Sequence, residues 1–213
     1  MSENTLSRYE KQIFDQKFGQ CFDCNLPNTY YGWCQNCNPK RFQQEFSKWT
    51  SGNKYIDKLI QDAQLRARNF REVIEWIPYN RLRNIQYLAK GGFSTIYNAI
   101  WLDGYIESWD DKINRWKRNV DLLENEDYEN AKNENIKSPL DENEERGYHV
   151  VLKSLNNTQN ISEAFLNEVY YLLYQYSVVI FLFVCKYKLK IFNLLLVGKL
   201  SAIYLLIYKQ LCC

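Results

Sequence analysis

Two Cys-x-x-Cys pairs, Cys21/Cys24 and Cys34/Cys37, lie nine residues apart and constrain the fold more than any other feature of the chain. Two intervening residues let the backbone turn tightly enough to aim both sulfurs of a pair at one point. Two such turns complete the tetrahedral sulfur shell that zinc prefers. Pro27, Asn28 and Gly32 supply turn chemistry between the pairs. Four thiolates leave no coordination position open for water, so residues 21–37 are expected to form a zinc-ribbon-like knuckle with a structural, non-catalytic metal.

The other three cysteines, Cys185, Cys212 and Cys213, show no comparable spacing. Met1 to Thr5 is polar and is not followed by an apolar stretch, so no secretory signal is expected. The seven cysteines then belong in a reducing compartment, where disulfides are rare, and a cytoplasmic location is the expectation. A hydrophobic content of 46% suffices for a packed core, and a net charge of +2 gives no argument for a nucleic-acid partner.

After a polar segment, 1–20, and the knuckle, residues 38–80 read as a helical linker. Asn38-Pro39 reads as a helix start, with Phe42, Phe46 and Trp49 following at helical spacing. Ser51-Gly52-Asn53 breaks that helix. A second begins near Lys54, with Ile56, Leu59, Ile60, Ala63 and Ala67 on one face. Phe70, Val73, Ile74 and Ile77 extend the stripe until Pro78 ends it. This apolar face is expected to pack within the chain, with a protein-partner surface as the other possibility.

Residues 81–176 read as strand, glycine turn, returning strand, a further strand and a helix. The first strand, around Ile85 to Leu88, runs through Ala89-Lys90 into Gly91-Gly92-Phe93. The second runs from Ser94 through Ile96 to Trp101, and Asp103-Gly104 then turns the chain back into Tyr105 to Trp109. Glycine at the first turn lets backbone amides approach phosphate oxygens without a side chain intervening. Val150-Val151-Leu152-Lys153 reads as a strand carrying a lysine, and Ile161 to Glu168 as a helix carrying a glutamate. A lysine and a glutamate are each costly to bury singly, so the two make sense as a pair.

That ordered set resembles the N-terminal lobe of a protein kinase of the tyrosine-kinase-like or Ser/Thr type. With the cysteine knuckle and Glu75-Trp76-Ile77-Pro78-Tyr79, the chain looks like a fungal, lineage-expanded group of kinase-like proteins. The resemblance covers under half of the chain. It implies an α+β fold, an antiparallel sheet plus one helix, preceded by the knuckle and the helical linker. It also implies that ATP, with magnesium, is bounded by Ala89, Gly91, Gly92, Phe93, Ser94 and Ile96. Lys153 would contact the phosphates and Glu168 would hold the lysine in place. The glycine pattern matches only at Gly91, since Ala89 and Ser94 stand where the first and third glycines are expected.

Between Trp109 and Tyr148 the expectation is an inserted surface loop. Its part from Asp121 to Glu145 has ten acidic residues against two lysines, a composition that resists a packed core. Residues 177–213 change character abruptly, with five lysines, no Asp, Glu or Arg, and long aliphatic and aromatic runs. Three readings apply to this tail: a membrane anchor drawn from 169–213, a pair of strands, or sequence of non-coding origin. The last is favoured because the residue mix is what A+T-rich DNA would encode. His149, the one histidine, precedes Lys153 by four residues, and neither a His-Arg-Asp element nor an Asp-Phe-Gly element follows. No catalytic residue is therefore assigned. The expected function is an ATP-binding, catalytically incomplete kinase-like protein. The alternative is a non-enzymatic interaction module built on the knuckle and helices.

Overall fold

The computed structural model describes residues 7–90, 94–155, 180–182, 184–185, 188–193 and 205–209. Gly91, Gly92, Phe93, Glu168, the 161–168 helix and much of the 177–213 tail lie outside them. The fold is α+β, with the cysteine cluster near its N-terminus.

The first twenty residues include a helix, α1 (Arg8–Phe18). The linker begins as expected with α2 (Asn38–Glu45), which tightens into a 3-10 turn over Phe46–Lys48. Its N-cap is Cys37 rather than Asn38, with Pro39 in the first turn where its missing N–H costs nothing. Helix α3 (Lys54–Arg66) is capped by Asn53, whose side chain accepts from the amides of Tyr55 and Ile56. Ile56, Leu59, Ile60 and Ala63 are all buried along one face of it, and Ala67 is buried just past its end.

The expected continuation of the helix to Pro78 does not hold. Asn69 accepts from the Arg71 amide, starting a 3-10 turn over Phe70–Glu72, and the chain then extends as β1 (Ile74–Trp76). Val73, Ile74 and Ile77 are buried without a helix. The β-branched run here favours extended backbone, and Gln64 of α3 donates to the Ile74 carbonyl at 2.9 Å.

The main sheet is formed by β2 (Leu82–Lys90), β3 (Ser94–Trp101), β7 (Arg146–Leu155) and β6 (Asp121–Leu122), in the order β2-β3-β7-β6, all antiparallel. One core cluster lies against it: Ile77, Leu82, Ile85, Ala99, Trp101, Val150 and Leu152. Between β3 and β7 the chain also forms the hairpin β4 (Tyr105–Asp110) and β5 (Arg115–Asn119), and helix α4 (Asn125–Asn130). The turn into β4 depends on Gly104, which has a φ of +60°, and a Cβ there would lie 1.8 Å from the Asn119 carbonyl oxygen. Gly104→Ala is expected to cost about 1–3 kcal/mol, read as a lowered urea midpoint at unchanged slope.

The expectation of a loose loop between Trp109 and Tyr148 is corrected on both halves. The first half is the β4–β5 hairpin. The second, 121–145, is strapped across the sheet. Its Glu144 takes both Nε and Nη2 of Arg83, at 2.6 and 2.7 Å, and Asp127 lies 3.5 Å from His149. Lys137 and Ser138 bond to the backbone of Ile85 and Asn84, while the Asn84 side chain donates to the Asp127 carbonyl and accepts from the Leu140 amide. Arg83, Ile100 and His149 form one register row, so this strap covers one end of a single sheet face. Composition counts the acids but not these backbone bonds.

In the tail, β8 (Ile180–Leu182) pairs in parallel with β1. β10 (Lys188–Asn193) pairs antiparallel with both β9 (Val184–Cys185) and β11 (Leu205–Lys209). Among the described residues no helix is long and apolar enough to cross a membrane.

Candidate metal centre

The four knuckle cysteines converge. Their sulfurs all lie within 4.8 Å of one another, with Cys24 Sγ 3.6 Å from Cys34 Sγ and Cys21 Sγ 3.9 Å from Cys37 Sγ. A tetrahedron with metal–sulfur bonds of about 2.3 Å has edges of about 3.8 Å, so these spacings fit a metal such as zinc. All four are free thiols, and Cys21 and Cys34 are buried.

Each pair sits on its own turn. The Cys21 carbonyl accepts from the Asn25 amide, with Asn25 in the left-handed region, and the Cys34 carbonyl accepts from the Asn38 amide. Both turns direct N–H groups at sulfur. At Cys24, burial alone would raise the thiol. The Leu26 amide, the Cys34 and Cys37 thiols and the Asn36 side chain outweigh it, lowering the group to about 7. Burial pushes Cys34 well above its ordinary value despite the amides of Cys37 and Asn36, and it pushes Cys37 up to about 11. Such thiols lose their protons to a metal rather than to solvent.

The loop between the pairs ties the cluster to the rest of the chain. Trp33, fully buried, donates through Nε1 to the Ala67 carbonyl at 3.0 Å. Thr29 Oγ1 donates to Arg68 O at 2.6 Å, and Gln35 Nε2 to Arg66 O at 3.0 Å. These three side chains take up carbonyls at the C-terminal end of α3, which has no intrahelical donors left to offer them. Trp33 also stacks with Trp116 of β5 at 5.8 Å, and Phe42 of α2 stacks on the same Trp116 at 4.4 Å. Together with Ala67, Val73 and Ile106 they form a second core cluster.

Arg41 completes the junction. Its guanidinium lies 4.4 Å from the Trp109 ring centroid, pairs with Asp23 inside the first cysteine turn, and reaches Asp111 in the hairpin connection at 3.2 Å. A second tie is buried deeper. Glu75 of β1 accepts from the Ile106 amide at 2.8 Å and pairs with Arg118 of β5. Sequence reasoning missed Arg41, Trp116 and the Glu75–Arg118 pair. Trp109 and Trp116 flanking a polar turn were the one available signal.

The sites expected for ATP are placed only in part. Ala89 opposes Ile96 and Ile96 opposes Lys153, so these three positions share one row across β2, β3 and β7. Ser94 opposes Leu155 at the start of β3. His149 lies in the row beneath the strap.

No protein-family model matches the chain, and neither a curated protein nor a solved structure matches it.

Proposed function

We propose that the chain is a zinc-stapled, nucleotide-binding module of the kinase N-lobe type, in which a structural zinc held by Cys21, Cys24, Cys34 and Cys37 fixes the knuckle against the β4–β5 hairpin. The metal supplies four coordinate bonds and no open position for chemistry. The protein side chains do the rest: Trp33, Thr29 and Gln35 cap α3, and Arg41 braces the two cysteine turns against the hairpin.

The observation that carries the nucleotide reading is the shared row of Ala89, Ile96 and Lys153 on three antiparallel strands. It sets the lysine position directly across from the aliphatic position expected over a base, beside the connection that holds Gly91 and Gly92. The acidic strap closes the other end of the same sheet face. In this reading ATP, with magnesium, is bound rather than turned over, Lys153 meets the phosphates and Glu168 steadies it.

With Mg-ATP at about ten times its dissociation constant, the full chain should gain about 1.4 kcal/mol, or about 3–6 °C in Tm. Lys153→Met should lose most of that shift. An equal shift in both proteins, or none in the unmodified chain, contradicts the nucleotide reading. The absence of any shift would instead favour the interaction-module reading, for which Phe22, 88% exposed between Cys21 and Cys24, is the first surface to examine.

A further inference from the structure

Among the exposed apolar side chains, Phe22 and Leu122 stand in surroundings of opposite charge. Phe22, in the first cysteine turn, is 88% exposed. With Trp109 it forms the apolar part of a concave site of about 470 Å³, bordered by Asp110, Asp111, Lys112 and Lys117. Arg41 fixes both walls: its guanidinium lies over the Trp109 ring, pairs with Asp23 beside Phe22, and pairs with Asp111 across the site. A site held in place before anything enters it binds at a lower ordering cost.

Most of the charge around this site is already engaged. Asp111 is held by Arg41, Asp110 Oδ1 accepts from the amides of Lys112 and Ile113, and Lys117 pairs with Glu107 at 2.8 Å. Lys112, in the hairpin connection, and Arg115, opposite Asp110, make no ion pair among the described residues. The charge left over is positive, so the matching occupant is an apolar side chain with acids beside it. Leu122 has that chemistry. It is 66% exposed, and Asp121, Glu124 and Glu126 around it are exposed and make no ion pair among the described residues. Its strand, β6, is bonded to β7 on one side, and no described strand pairs with the other. Such an edge is a ready place for a second chain to dock.

We propose that the chain associates with a second copy of itself, the Phe22–Trp109 site of one copy receiving Leu122 of the other. Asp121, Glu124 and Glu126 of the incoming edge then face Lys112 and Arg115. The contact joins unlike surfaces, so every copy carries both halves of it. It is independent of nucleotide binding and adds a partner to the knuckle that the metal only holds in place.

Sedimentation velocity of the full chain tests this. Self-association is expected at low salt, weakening as salt rises and screens the facing charges. Phe22→Ala and Leu122→Asp each alter an exposed side chain, and each should lower the association constant about tenfold or more. Mixed in equal amounts, the two variants should form one-to-one pairs, because one keeps the strand edge and the other keeps the aromatic site. A chain that stays monomeric at about 100 μM would overturn the proposal. So would association that neither variant weakens, or a mixture no more associated than its parts. Should Leu122→Asp fail to fold, the charge-reversed pair Lys112→Glu and Asp121→Lys decides. Each should associate weakly alone and recover when the two are mixed, and an absence of recovery refutes the contact.

Discussion

Stripping the metal from the full chain with a chelator, or replacing Cys34 with serine, is expected to unfold the knuckle and release the β4–β5 hairpin. Structural zinc contributes about 10–16 kcal/mol of apparent binding free energy in small zinc modules, as much as the whole stability of an ordinary domain. Trp33 and Trp116 report on the event because both belong to the cluster that joins the knuckle to the hairpin. Their fluorescence should shift to the red and their near-ultraviolet circular dichroism should collapse, and both should recover when zinc is restored to the unmodified chain. Cys34→Ser should be worse than Cys24→Ser, since Cys34 is buried at 3% exposure while Cys24 is partly open. A chelator that leaves both signals unchanged would show that packing alone holds the knuckle.

Glu75→Ala should be the most damaging single change away from the cysteines. It strands the Arg118 guanidinium beside Trp101 and leaves the buried Ile106 amide without its acceptor. Removing one partner of a buried ion pair costs about 3–5 kcal/mol. Arg118 keeps its bonds to the Asp103 and Gly104 carbonyls, which places the expected loss near the lower end of that range. Glu75→Gln keeps an acceptor for Ile106 and should cost less.

The same pair sets a pH dependence with a definite sign. Burial pushes the Glu75 carboxyl up, against the opposing pull of Arg118 and the Ile106 amide. Between the ordinary glutamate value, about 4.3, and the raised one, the folded chain holds more protons than the unfolded chain. Stability contributed by this group is therefore present at low pH and lost as pH rises through the raised value. Relative to Glu75→Gln, the unmodified protein should gain stability as pH falls from 7 toward 4, measured by urea unfolding at each pH. A gap moving the other way would mean that Arg118, not burial, dominates.

The parts of this structure legible in the sequence are those fixed by short-range chemistry. Paired cysteines announce their convergence because thiol spacing and turn geometry are local. Helix α3 was legible for the same reason, through the break at Ser51-Gly52-Asn53 before it and the period of Ile56, Leu59, Ile60 and Ala63. The strand pairing around Ile96 followed from a glycine turn between two β-rich runs.

What was illegible depends on contacts distant in sequence. Arg115 to Asn119 reads as a charged loop, yet Trp116 within it is held by rings from Trp33 and Phe42, more than seventy residues earlier. The acidic strap reads as disordered by composition, and it is held by a two-pronged Arg83–Glu144 bond and by backbone bonds to a bulge at Asn84. Val73 to Ile77 mimics a helical stripe, but α3 has already ended at Arg66, with Ala67 turning to extended ψ, before it. Glu75, a charge in an apolar run, is among the most buried charges described, and the partners that hold it, Ile106 and Arg118, lie more than thirty residues away.

In the proposed reading a single metal ion in an all-sulfur shell fixes the knuckle to the β4–β5 hairpin. X-ray absorption at the zinc edge, with metal analysis of the purified full chain, tests it most directly. One zinc per chain, surrounded by four sulfurs at about 2.3 Å, is expected. A chain that purifies folded with no stoichiometric metal, or a first shell containing nitrogen or oxygen, would contradict it.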